Sequence, residues 1–253
     1  MARKIPLILL AVLAALVLAG LGLRWGMLRY QEKAASDPAF FESAIRAFEE
    51  ADRRQPPAPG SVVFFGSSSI RFWDSLEADM APLPVVNRGF GGAHLSHLIH
   101  NVDRVVLRHA PRAVVVYAGD NDLAAGTGKD VDRVVGDFQR LVRRIHDRLS
   151  EAEIFFLSIK PSRLRWDRWP EMSRANREIE ILTRSDPRLH FIDVARPLLG
   201  TDGRPRADAF VFDGLHLNDR GYAIWTAVVA PVLRSALLET APRSPSSPEK
   251  PTR

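Results

Sequence analysis

Cysteine is absent from this chain of 253 residues. No disulfide framework, thiol nucleophile or thiolate zinc site is therefore open to it. Charge of one sign is not segregated either. Lys and Arg number 35 against 30 Asp and Glu, a formal net charge of +5, and the basic residues are mostly arginines scattered among acids. Over 131–149, Arg133, Arg140, Arg143, Arg144 and Arg148 occupy the polar side of an apolar stripe, the pattern of a solvated helix face rather than of a nucleic-acid footprint. Internal repeats and phosphate-cradling glycine loops are also missing. What is present, 46% hydrophobic and 26% charged residues, excludes wholesale disorder, collagen and coiled coil, and allows one large or two small domains.

Long hydrophobic runs are rare, and the one that exists is terminal. Ile5 to Leu23 is apolar and uncharged, preceded by Arg3 and Lys4 and followed by Arg24. As a helix it spans about 28 Å, close to the roughly 30 Å hydrocarbon core of a bilayer. Residues 1–28 are accordingly expected to form an uncleaved membrane anchor. The alternative is a secretory signal cut near Val17-Leu18-Ala19, which would release the protein. Arg29 and Lys33 balance the charges ahead of the run, so the positive-inside count does not orient it. The short basic leader has the form of an export signal and places the main domain outside the cytoplasm. Residues 29–60 are expected as a stalk, with a helix over 38–52 and a linker at Pro56, Pro57 and Pro59. Residues 239–253, rich in Pro and Ser, are expected as a disordered tail. The interval 61–238 remains for one domain.

Within it, short apolar runs begin at Val62, Val85, Ala113, Ile154 and Leu189 and alternate with helical patterns. Val131, Val134, Val135, Phe138, Leu141, Val142, Ile145 and Leu149 make the clearest helical stripe. A last helix, about 219–238, follows Asn218, a good N-cap. Wholly apolar strands separated by amphipathic helices imply a parallel sheet covered on both faces, a three-layer α/β/α sandwich. In such sheets ligands bind beyond the carboxyl ends of the strands.

Four segments occupy those ends. Gly66-Ser67-Ser68-Ser69 offers a hydroxyl nucleophile, or simply a helix cap. Gly89 and Gly91-Gly92 offer close backbone approach to a carbonyl, or only turn geometry. Gly119-Asp120-Asn121-Asp122 offers an amide donor to an oxyanion, or a turn and cap. Asp213-Gly-Leu-His216 offers a carboxylate that bends back to an imidazole and fixes its tautomer, or an Asp-Gly turn beside an unconnected histidine. Together they make a complete set for serine-dependent acyl transfer.

These residues resemble the SGNH (GDSL-like) hydrolase family over most of 62–238. The resemblance implies a flavodoxin-like parallel sheet of about five strands and no metal or organic cofactor. It makes Ser68 the nucleophile and Asp213 and His216 the other triad members. Ser68, Gly92 and Asn121 become the oxyanion hole. Ser67 stands where the family usually has an acid; that acid is not a triad member, so catalysis is expected to survive. The implied substrates are esters: acyl lipids, lysophospholipids or acetylated carbohydrates. Arg71, Arg88 and the segment Arg163-Leu-Arg-Trp-Asp-Arg-Trp169 fall near strand ends. Arg88, Trp166 and Trp169 are therefore candidate substrate contacts, the alternative being tryptophans that pack a loop and solvated arginines. His94, His97 and His100 recur every third residue, drift around a helix and lack further ligands, so no metal site is expected there. Three rival readings remain: a non-catalytic membrane-tethered binding module on the same fold, a Mg²⁺-dependent phosphate hydrolase using Asp120 and Asp122, and a tethered scaffold. The oligomeric state is not legible.

Overall fold

Neighbouring residues along the central strands point to opposite sides of a sheet, and both sides are dry. In the computed structural model, which describes residues 4–238, the chain runs α1 (Lys4–Ser36), α2 (Glu42–Arg54), β1 (Val62–Gly66), α3 (Ser68–Arg71), α4 (Leu76–Met80), β2 (Val85–Gly89), α5 (Leu95–Val105), β3 (Ala113–Tyr117), α6 (Val131–His146), β4 (Glu153–Leu157), α7 (Trp169–Thr183), β5 (Leu189–Ile192) and α8 (Asp219–Leu238). The expected tail, 239–253, lies outside the described residues. All strand pairs are parallel, in the order β2-β1-β3-β4-β5.

Val63, Phe65, Val114, Val116, Ile154 and Phe156 pack against α2, α5, α6 and α7. Their neighbours Val62, Phe64, Ala113, Val115, Phe155 and Leu157 pack against α3, α4 and α8. The period of two thus feeds two cores, which is why the strands read as continuous apolar runs. Gly66 pairs with Gly89 on one side and Tyr117 on the other. The three central strands therefore finish level, and the loops after them share one rim.

Helix ends follow local chemistry. Asp130 caps α6 by accepting the Arg133 N–H at 2.8 Å, and Asn218 caps α8 by accepting that of Gly221 at 3.0 Å. The expected stripe over 131–149 continues past α6, which ends at His146. After the serine turn α3 starts at Ser68 itself, with Ser67 as its cap residue.

The helix foreseen in the stalk begins later, at Glu42, and lies on the domain. Phe41, Ile45 and Phe48 form a stripe at i, i+4, i+7 that meets the core with α5. Arg104 of α5 holds Glu42 at 2.6 Å and Glu49 at 2.8 Å. Buried Asp52 pairs with Arg88 and, at 2.8 Å, with His109. Apolar burial and three ion-paired carboxylates thus dock this helix instead of leaving it clear of the fold.

Two helices are strongly apolar for different reasons. Along α1, Val12, Leu13, Leu16, Val17, Leu18, Leu21 and Leu23 are exposed. Among the described residues, α8 is the helix long and apolar enough to cross a membrane. Its Trp225, Val229 and Leu233 are nevertheless buried against the sheet, so α8 is a core helix.

Candidate active site

The turn after β1 is forced by crowding. A Cβ at Gly66 would lie 2.2 Å from the Tyr117 carbonyl oxygen, a distance no side chain tolerates, so glycine lets β1 and β3 close up. The Ser67 N–H then donates to that same carbonyl at 3.0 Å, and the chain enters α3 at Ser68. The Ser67 hydroxyl is buried and, among the described residues, has no hydrogen-bond partner. Ser68 is 9% exposed.

On the far side of the rim, the loop before α8 delivers the imidazole. Asp213 accepts the N–H groups of Leu215 at 2.8 Å and His216 at 3.0 Å through Oδ1. Gly214 provides the positive φ, +66°, that lets this loop turn. The other carboxylate oxygen lies 2.6 Å from His216 Nδ1. An ionised carboxylate can only accept, so Nδ1 carries the proton and Nε2 is the ring's acceptor. Nε2 lies 3.0 Å from Ser68 Oγ. Residues 68, 213 and 216 are thus joined by two hydrogen bonds across 148 positions of sequence. Burial pushes the Asp213 carboxyl pKa up, but His216 and the two N–H groups outweigh it and hold it at about 2. Phe72 meets the His216 ring edge to face at 5.2 Å.

Candidate donors lie on the segments that follow β1, β2 and β3. Gly92 has φ +83°, and among the described residues neither its N–H nor that of Ser68 has an intramolecular acceptor. The Asn121 side chain donates one amide hydrogen to the Ala93 carbonyl at 3.0 Å, leaving the second free. Its amide oxygen accepts from Arg165 at 3.0 Å, and the same guanidinium grips the Asp120 carbonyl at 2.9 Å and carboxylate at 3.2 Å. Arg165 therefore fixes which way the Asn121 amide faces. The sequence points to this arginine only as one of several near the rim; no spacing reveals its grip on a loop 44 residues away.

Other sequence candidates fall elsewhere. Arg88 is buried beneath α2, where it pairs with Asp52 and lies over the Phe48 ring at 5.1 Å. Its guanidinium serves α2 docking and does not face the rim. Trp166 and Trp169 stack on each other at 6.1 Å. Trp169 lines a separate cavity of about 160 Å³ with Ser173, Asn176 and Phe191. Asp120 is held by Arg165 and by buried Lys160 at 3.6 Å. Asp122 accepts Lys129 at 2.9 Å and caps α5 through the Leu95 N–H at 3.2 Å. Both carboxylates of the Mg²⁺ reading are thus engaged by protein cations. His94 and His97 form a reciprocal cap on α5, the His94 N–H donating to His97 Nδ1 at 2.9 Å.

A groove of about 800 Å³ runs up to Gly91, which neighbours the serine. One wall is α2 with the turn before it, from Phe40 to Phe48; the other is Arg71 and the stretch Gly89–Gly91. A Cβ at Gly91 would lie 3.3 Å from Arg71 Nη1 and 3.9 Å from the Ser68 Cβ.

A model of the GDSL-like Lipase/Acylhydrolase family matches residues 59–224. Among solved structures, a GDSL-like lipase from Bacteroides thetaiotaomicron superposes with a TM-score of 0.67 at 19% identity, covering 76% of this chain and 98% of its own. A lipase/acylhydrolase from Enterococcus faecalis gives 0.55 at 18%, covering 70% and 96%. An acetylxylan esterase from Geobacillus stearothermophilus, a catalytic mutant, gives 0.56 at 15%, covering 70% and 95%. A search of curated proteins found no match.

Proposed function

Because the chain belongs to the GDSL-like Lipase/Acylhydrolase family and is therefore an ester-hydrolysing enzyme, we propose that it works through an acyl-enzyme on Ser68. The single observation that carries this reading is the hydrogen-bonded series from Asp213 through His216 to Ser68. In the first half-reaction His216 Nε2 takes the hydroxyl proton as Ser68 Oγ bonds to the ester carbonyl carbon. Asp213 accepts from Nδ1 throughout and stabilises the imidazolium. The carbonyl oxygen gains the negative charge, and the free N–H groups of Ser68 and Gly92 with the spare Asn121 amide hydrogen receive it. The tetrahedral adduct collapses as His216 gives its proton to the leaving alcohol. Water, deprotonated by the same nitrogen, then releases the acid and restores the serine.

The substrates of this reading are carboxylic esters of lipids or acylated carbohydrates. The exposed apolar residues of α1 support an N-terminal membrane anchor, with the catalytic domain outside the cytoplasm; cleavage after the apolar run would instead give a secreted enzyme. Covalent labelling by a fluorophosphonate tests the mechanism. Labelling of the wild type and its loss in Ser68→Ala, with Ser67→Ala and Ser69→Ala still labelled, is the expected pattern. A Ser68→Ala protein that still labels or turns over ester would end it.

A further inference from the structure

The groove beside Ser68 has a peculiar inventory. Phe40, Phe41, Ala44, Ala47, Phe48 and Phe90 supply its apolar surface, and among the described residues its side chains with polar groups are Ser43, Arg71 and Asn87. Asn87 is already committed: its amide donates to the Ile70 carbonyl at 2.7 Å and accepts the Gly89 N–H at 2.9 Å. One hydroxyl and one guanidinium remain for a ligand. A sugar chain brings several hydroxyls per residue, and each left without a partner on burial weakens binding. An acyl chain brings none.

The guanidinium lines the groove beside Gly91. Arg71 and Ser68 flank Gly91, within contact distance of the same point. Arg71 lies over the exposed Phe72 ring at 5.4 Å and, among the described residues, pairs with no carboxylate. That sets it apart from Arg88, Arg104 and Arg165, which are all ion-paired. A cation left open beside a nucleophile is placed to receive an anion carried close to the ester.

The surroundings point the same way. Phe72, Leu164, Val211 and Phe212 are exposed, and all sit at the imidazole's side of the rim. Phe72 touches the His216 ring, the Leu164 N–H donates to the Gly214 carbonyl at 3.1 Å, and Phe212 precedes Asp213. The groove wall itself starts at Phe40, four positions beyond the last residue of α1.

Resting on the triad reading, we infer that the enzyme acts on anionic amphiphiles, esters of a medium or long acyl chain with an alcohol bearing a phosphate or similar anion. The acyl chain lies in the groove along α2, the anion meets Arg71, and the exposed aromatic rim faces the lipid from which the substrate comes. The chemistry is ordinary hydrolysis: the acyl–oxygen bond breaks, the anionic alcohol leaves with a proton, and water supplies the acid's hydroxyl.

Two substrate pairs test this in the full-length protein. For p-nitrophenyl acetate and octanoate, wild-type kcat/KM should rise at least about tenfold with the longer chain, since each added CH₂ that the groove buries favours binding. Ala47→Trp, at an exposed helix position on the groove wall, should bring the octanoate-to-acetate ratio down towards one. For dodecanoyl glycerol and its 3-phosphate, the wild type should prefer the phosphate, and Arg71→Gln should abolish the preference while the melting temperature is kept. Acetate turnover without a gain for octanoate overturns the groove assignment alone, and equal rates on the glycerol pair overturn the role of Arg71. No turnover of any ester, together with no fluorophosphonate labelling of Ser68, removes the triad reading and this inference with it.

Discussion

Arg165 holds the Asp120–Asn121 turn, whose amide is the oxyanion donor of the proposed mechanism. It does not reach the serine or the histidine; it sets the Asn121 amide so that oxygen faces the guanidinium and nitrogen faces the rim. Losing an oxyanion donor outright costs about 100- to 1000-fold in turnover, which is the expectation for Asn121→Ala. Arg165→Ala leaves the amide present but free to rotate, so a smaller fall in kcat, about tenfold, is expected with KM nearly unchanged. Arg165→Lys should recover part of it. Steady-state kinetics on one ester separate these outcomes, and an Arg165→Ala enzyme that loses only KM would contradict the positioning role. Asp213→Asn makes a different fault. An amide nitrogen facing Nδ1 inverts the ring tautomer, and kcat should drop by about 10⁴ while the fold, read by circular dichroism, stays intact.

At the scale of elements, α2 has two duties. Its inner stripe closes the core beneath α5, and its outer residues wall the groove. Ile45 is fully buried, so Ile45→Ala should cost about 2–5 kcal/mol. Urea unfolding measures this directly, and a loss under 1 kcal/mol would mean that the helix contributes little to the fold. The five strands and α6 were legible in the sequence because apolar runs of four to six residues and a 3.6-residue stripe each allow only one buried arrangement. The rim was legible for the same reason: sheet topology alone gathers the ends of β1, β2 and β3. The docking of α2 was not. Phe41, Ile45 and Phe48 lie ahead of three prolines, and the prolines read as punctuation between a stalk and a domain. The pairing of Arg88 was hidden on the same account, since its partner Asp52 belongs to that helix. Nor could spacing tell an arginine that holds Asn121 from one that faces solvent.

For the molecule as a whole, acid is the condition to which the structure is most exposed. Burial foremost, helped by the neighbouring His94 and Lys129, holds the His97 pKa down from 6.5 to about 4. The folded chain thus keeps His97 neutral over a range in which the unfolded chain binds a proton. Stability is complete above about pH 6.5 and declines as pH falls towards 4, by at most about 3 kcal/mol from this group. Below pH 4 two carboxyls extend the loss. Burial raises the Asp122 pKa, but His94 and Lys129 prevail and hold it at about 2; Asp213 sits at a similar value. Both favour the folded state above about pH 4 and cease to do so as pH drops through 2. Urea midpoints at pH 7.5 and 4.5 should therefore differ more in the wild type than in His97→Gln, which keeps an acceptor for the His94 N–H. Identical pH slopes would contradict the assignment.

The placement of α2 has a practical corollary. Starting the polypeptide at residue 59, where the family match begins, would keep every group assigned to the proposed reaction. It would also strip one side of the cleft and uncover the sheet behind it. Such a shortened protein should be sticky, poorly soluble and indifferent to acyl length. A soluble preparation is better begun at about residue 37, after the apolar helix and before the aromatic pair that seals the core.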